Sequence, residues 1–63
     1  MEKLLTVKEV AEKLRIDQTT VYKWADQGRL AYIDLGRKNR HRCLRFLEKD
    51  LEHLIAEKRV ANG

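Results

Sequence analysis

The feature that most narrows the fold is a pair of short helical patterns separated by only three residues. Val7, Val10, Ala11 and Leu14 recur at i, i+3, i+4 and i+7, with Lys8, Glu9, Glu12 and Lys13 on the opposite side. Thr6 and Glu9 stand at capping-box spacing at the start of this first helix. Arg15-Ile16-Asp17 breaks the pattern, and Asp17 is a suitable N-cap for a second helix through Gln27, which Gly28 then stops. Two helices joined by so short a turn form a helix-turn-helix.

The remaining chain must close a core over that pair. Ala31, Ile33 and Leu35 alternate with Tyr32 and Asp34, and Leu44 and Phe46 share a face of a second extended run. Gly36 opens a polar, basic loop between them, longer than a two-residue turn, so the two runs read as a β-hairpin. From about Leu47 to Arg59 the period is helical again. Leu47, Leu51, Leu54 and Ile55 make a stripe suited to cover Trp24 and the hairpin, and Lys58 and Arg59 fall in the last turn. The expected fold is mainly α with a small β-hairpin, a winged helix-turn-helix in the order helix, helix, hairpin, helix. It is one domain over residues 1–63, with an ordered core at about 4–59 and a flexible tail at 60–63.

Size excludes much else. A chain of 63 residues buries only ~60% of the surface it exposes unfolded, which leaves no room for a deep catalytic cleft and its scaffold. There is no serine, the lone Cys43 stands beside an arginine, and no glycine-rich phosphate loop is present. His41 and Cys43 lack a second ligand pair at zinc-site spacing. No enzyme activity, catalytic residue, cofactor or metal is therefore expected. A single cysteine forms no internal disulfide and suits a reducing cytoplasm as a small apolar filler. The first residues hold too short an apolar run for a signal peptide, and no stretch approaches the ~20 apolar residues of a membrane span.

Charge points to a polyanion. Five cations (Arg37, Lys38, Arg40, Arg42 and Arg45) lie in one acid-free segment with His41, while the other nine cations face ten acids. A basic hairpin is not a basic amphipathic helix, so a membrane surface is not expected as the partner. The second helix (about 17–27) buries only Val21, Trp24 and Ala25, a narrow seam, and shows polar groups elsewhere. Gln18, Thr19, Thr20, Tyr22 and Lys23 fill its first turn and a half, the end that enters a major groove about 12 Å wide. Gln18 suits adenine, the threonines suit a thymine methyl or a phosphate, and Tyr22 and Lys23 suit the backbone. Each has a plainer role open to it: early helix residues steadying the cap for Thr19 and Thr20, packing on the first helix for Tyr22, and a solvated charge for Lys23. The loop at about 36–42, with Arg37, Lys38, Arg40, His41 and Arg42, fits a wing on the adjacent minor groove or its phosphates; the plain alternative is a solvated loop. Arg45 has Asp34 as a strand partner to neutralise.

The run Leu5-Thr6-Val7-Lys8-Glu9-Val10-Ala11-Glu12-Lys13-Leu14, then Thr20-Val21-Tyr22-Lys23-Trp24 and Gly28-Arg29-Leu30, resembles the excisionase family of DNA-binding domains. These small winged helix-turn-helix proteins are related to the DNA-binding heads of MerR-type regulators. The resemblance continues through Arg45-Phe46 and Asp50-Leu51 and covers residues 4–55. It implies double-stranded DNA as partner, held by Gln18 to Lys23 and by Arg37 to Arg42. It implies an architectural role in excision beside a site-specific recombinase, or with neighbouring copies on the duplex. A small transcriptional regulator on repeated sites would look the same, and a protein-interaction adaptor using Trp24 or Tyr32 is a further alternative. The dimerisation helix and ligand-sensing part of MerR-type regulators are not expected, hence no small-molecule effector. Two departures stand out: Arg15 occupies the place where the turn usually carries glycine, and the wing from Gly36 to Phe46 is longer than usual. If that turn position needs positive φ, arginine costs about 1 kcal/mol there.

Overall fold

The computed structural model describes residues 3–60. Its elements are β1 (Leu4–Thr6), α1 (Val7–Leu14), α2 (Gln18–Asp26), β2 (Ile33–Lys38), β3 (His41–Leu47) and α3 (Glu48–Lys58). The strands form one antiparallel sheet in the order β1-β3-β2. The expected succession of helix, helix, hairpin and helix is present, with β1 added in front. Of the tail expected to be flexible, residues 61–63 lie outside the described residues; Val60 is 80% exposed.

β1 exists because Leu5 needs the core. It stands opposite Phe46 in the ladder, and both side chains are fully buried. Thr6 ends the strand and caps α1 at once. Its Oγ1 accepts from the Glu9 amide at 3.1 Å, and its own amide donates to Glu9 Oε1 at 3.0 Å, the reciprocal capping box. That backbone hydrogen bond is the main reason the Glu9 carboxyl sits below its ordinary value.

The turn after α1 resolves the question posed by Arg15. Arg15 has φ 54° and ψ 49°, left-handed, and the Ile16 amide reaches back to the Ala11 carbonyl at 3.0 Å. Such a C-terminal bend favours glycine. Arg15→Gly is therefore expected to stabilise the fold by about 1 kcal/mol, read as a higher denaturant midpoint at unchanged slope; an unchanged midpoint would count against strain at this residue. Asp17, expected to cap α2, occupies the N-cap position but makes no side-chain cap bond; its carbonyl accepts from Thr20 and Val21 instead.

The core comprises Leu5, Val7, Val10, Ala11, Val21, Ala25, Leu30, Leu44, Phe46, Leu51 and Leu54. Leu14, Ile16, Tyr22 and Trp24 pack against its edge. The expected inward stripe of Ala31, Ile33 and Leu35 is corrected here: all of β2 is exposed, Leu35 to 57%, and Leu30 is the residue that enters the core. Ile33 stands opposite Arg45, on the face away from the buried Leu44 and Phe46, and the rest of β2 extends beyond those residues, so the alternation meets no core. The last stripe narrows too. Leu51 and Leu54 are buried, but Leu47 belongs to β3 and Ile55 is 45% exposed.

The hairpin differs from the expected long loop. Strand pairing continues to Lys38 opposite His41, and only Asn39 and Arg40 make the turn, with φ 52° and 68°. Positive φ at both central residues is the geometry that matches strand twist in a two-residue hairpin. The register shifts between Asp34 and Arg37, placing one extra residue on β2 opposite Cys43. Gly36 takes φ 94° in that bulge, its amide bonded to Asp34 Oδ1 at 2.8 Å. Arg45 does not neutralise Asp34. It lies opposite Ile33 and donates to the Leu44 carbonyl at 2.8 Å, while Asp34 lies opposite Leu44.

Candidate nucleic-acid interface

The buried Val21 and Ala25 fix how α2 is rolled. At about 3.6 residues per turn, Thr19 and Lys23 then project from the side opposite the core. Both are exposed, as is Gln18, and Thr20 is half-buried. Tyr22 and Asp26 fall on the flank of α2 that meets the hairpin, and Trp24 falls on the other flank, its ring 5.6 Å from the Lys58 ammonium.

Arg42 joins the hairpin to α2. Its Nη2 donates to Asp26 Oδ1 at 2.9 Å and its Nη1 to Oδ2 at 3.3 Å, a two-pronged fork on one carboxylate. The same guanidinium lies 5.4 Å from the centroid of the Tyr22 ring. The hydrogen bond to Asp26 is the foremost cause holding the Arg42 group above its ordinary value. Arg42 and Tyr22, both read from the sequence as DNA contacts, are thus engaged with each other, and Arg42 also with Asp26. Asp26 drew no attention in the sequence, because nothing local links it to a residue sixteen positions on.

The other expected cations are differently placed. The side chains of Lys23, Arg37, Lys38 and Arg40 make no hydrogen bond or ion pair among the described residues, and all four residues are exposed. Alternation along β3 sets Arg42 on the face of Leu44 and Phe46, and Arg37, its ladder partner, shares that face. Lys38 and His41 stand opposite each other on the reverse face, and Arg40 sits in the turn. The wing therefore shows cations on both faces and at its tip, rather than on one shared side with α2.

The start of α2 adds neutral donors. Intrahelical bonding begins with the Thr20 and Val21 amides. Because Asp17 does not cap, the helix's first amides are open to an anion.

The family model described as helix-turn-helix domain matches residues 4–59. No curated protein matches the chain.

Proposed function

The chain belongs to the helix-turn-helix domain family, and from that premise we propose that it binds double-stranded DNA with α2 in the major groove and the wing on the adjacent minor groove or backbone. The observation that carries this reading is the set of unpaired cations, Lys23 on α2 and Arg37, Lys38 and Arg40 on the hairpin, flanking a polar helix start. Charges left unpaired on two adjoining elements are what a phosphate backbone can use. In this reading Gln18, Thr19 and Thr20 read base edges, and Lys23, Arg37, Lys38, Arg40 and His41 hold phosphates. Arg42 and Tyr22 support the wing. No cofactor, effector or catalytic step belongs to it, and the protein works in the cytoplasm, on the nucleoid when bound.

The excisionase resemblance supports a finer role, an architectural factor that bends its site for a site-specific recombinase, alone or beside neighbouring copies. A bent duplex in a circular-permutation gel is the result expected for that role; straight DNA would favour a small transcriptional regulator.

DNA binding itself is tested by salt. The logarithm of the association constant is expected to fall with log salt by about 0.9 for each phosphate engaged, giving a slope of several units. Binding that ignores salt would turn the reading toward an adaptor, for which the apolar groove of Leu14, Ile16, Trp24, Leu54 and Ile55 is the surface on offer. Reading is tested by Gln18→Ala, expected to cost about 1–3 kcal/mol on a duplex selected by the protein and to relax preference at one base pair. A uniform loss across sequences would remove Gln18 from the readers.

A further inference from the structure

We propose that Asp26 is a positioning residue that sets the wing's direction relative to α2, and so the spacing between base reading and phosphate gripping; this deepens the DNA-binding reading and rests on it. An acidic side chain on a surface meant for phosphates works against affinity by Coulomb repulsion. Its use lies in what it holds. α2 packs on α1, whereas β3 packs on β1, β2, α1 and α3, so the two DNA-facing elements have no extensive backbone contact. Every residue of β2 is exposed, and its extensive packing is with β3 alone, whose buried Leu44 and Phe46 seat the base of the hairpin but not its outer half.

The side-chain tie between α2 and that outer half is a cluster of three residues. The Arg42 fork on Asp26 sets both a distance and an angle, because two parallel hydrogen bonds to one carboxylate leave little freedom of rotation. The Tyr22 ring beneath limits how far the guanidinium plane can tilt. Arg42 stands directly opposite Arg37 in the ladder. Anchoring Arg42 to α2 therefore places Arg37, and the turn beyond it, relative to the reading helix. A wing without this anchor must be ordered by DNA at the moment of binding, which weakens binding where register matters and leaves loose, register-free association alone.

Asp26→Asn in the full chain tests this, because charge and positioning predict opposite signs. The pair is a surface one and its loss leaves the fold intact. In DNA-free protein, the heteronuclear NOE of the Lys38 to His41 amides is expected to fall while that of α1 holds. Affinity for a duplex selected by the protein from a random library is expected to drop roughly fivefold, with affinity for a random-sequence duplex and the salt slope unchanged. Asp26→Glu, which keeps the carboxylate, is expected to restore both readouts. Tighter binding of Asp26→Asn to both duplexes, with the slope raised by about one, would overturn the proposal, since Asp26 would then merely mask Arg42. Unchanged wing order with unchanged site preference would overturn it as well. If the wild-type chain bound neither duplex, DNA binding itself would be refuted, and wing relaxation alone would decide whether Asp26 orders the hairpin.

Discussion

Phe46→Ala is expected to leave the chain mostly unfolded without denaturant. The side chain is fully buried, opposite the fully buried Leu5 of β1 and on the same strand face as Leu44. It thus sits where the N-terminal strand and the base of the wing converge on the helices. Truncating a buried phenylalanine to alanine costs about 3–5 kcal/mol, transfer and cavity terms together. A core this small supplies a net stability of about 3–5 kcal/mol in the first place, so the loss and the reserve are of one size. The control is Leu35→Ala, on the exposed arm, which should stay within about 0.5 kcal/mol of the parent. Urea titrations followed by circular dichroism measure both. A Phe46→Ala protein that still unfolds cooperatively near the parent midpoint would show that the core does not depend on this residue.

The sequence displayed the helix-turn-helix most clearly because local rules produce it. The Thr6–Glu9 capping box and the period of Val7, Val10, Ala11 and Leu14 are short-range patterns, and α1 begins and ends where they say. The question at Arg15 could be posed from the sequence alone, and the left-handed φ of 54° answers it. β1 could not be seen in this way, since three residues are too few to show a strand period. Ile33 and Leu35 misled for a different reason. Alternation shows that a strand has two faces, but not which of them the ladder turns inward: Ile33 stands opposite Arg45, while Asp34 stands opposite the buried Leu44, and Leu35 lies beyond it at the bulge. The turn was hidden as well: Asn39-Arg40 lacks the glycine that normally announces a tight two-residue hairpin.

The site was legible as composition and not as wiring. Counting charges located the basic segment, yet it gave equal weight to Arg37, Lys38, Arg40 and Arg42. Arg42 differs because Asp26, on another element, takes both prongs of its guanidinium. The split of Arg37 and Lys38 between two faces follows from a register that a bulge has shifted, which no local pattern encodes. Such facts arise from tertiary geometry, and they decide which cations remain available to DNA.

Replacing Arg37, Lys38 and Arg40 together by alanine is expected to weaken binding to any duplex about a hundredfold at physiological salt. Each phosphate contact contributes a slope of about 0.9, so at about 0.15 M salt one contact is worth roughly 0.7 log units and three about two. The slope itself should drop by about 2.7, while base preference, carried by α2, stays as it was. Single variants then decide how the hairpin sits. Arg37 and Lys38 project from opposite faces of the wing, so a hairpin standing between the two phosphate walls of a minor groove loses about one unit of slope with either. A hairpin lying flat on one strand would lose it with one and not the other. Should the triple variant keep its full slope, the wing makes no phosphate contact, and the unpaired cations on which the DNA reading depends serve some other end.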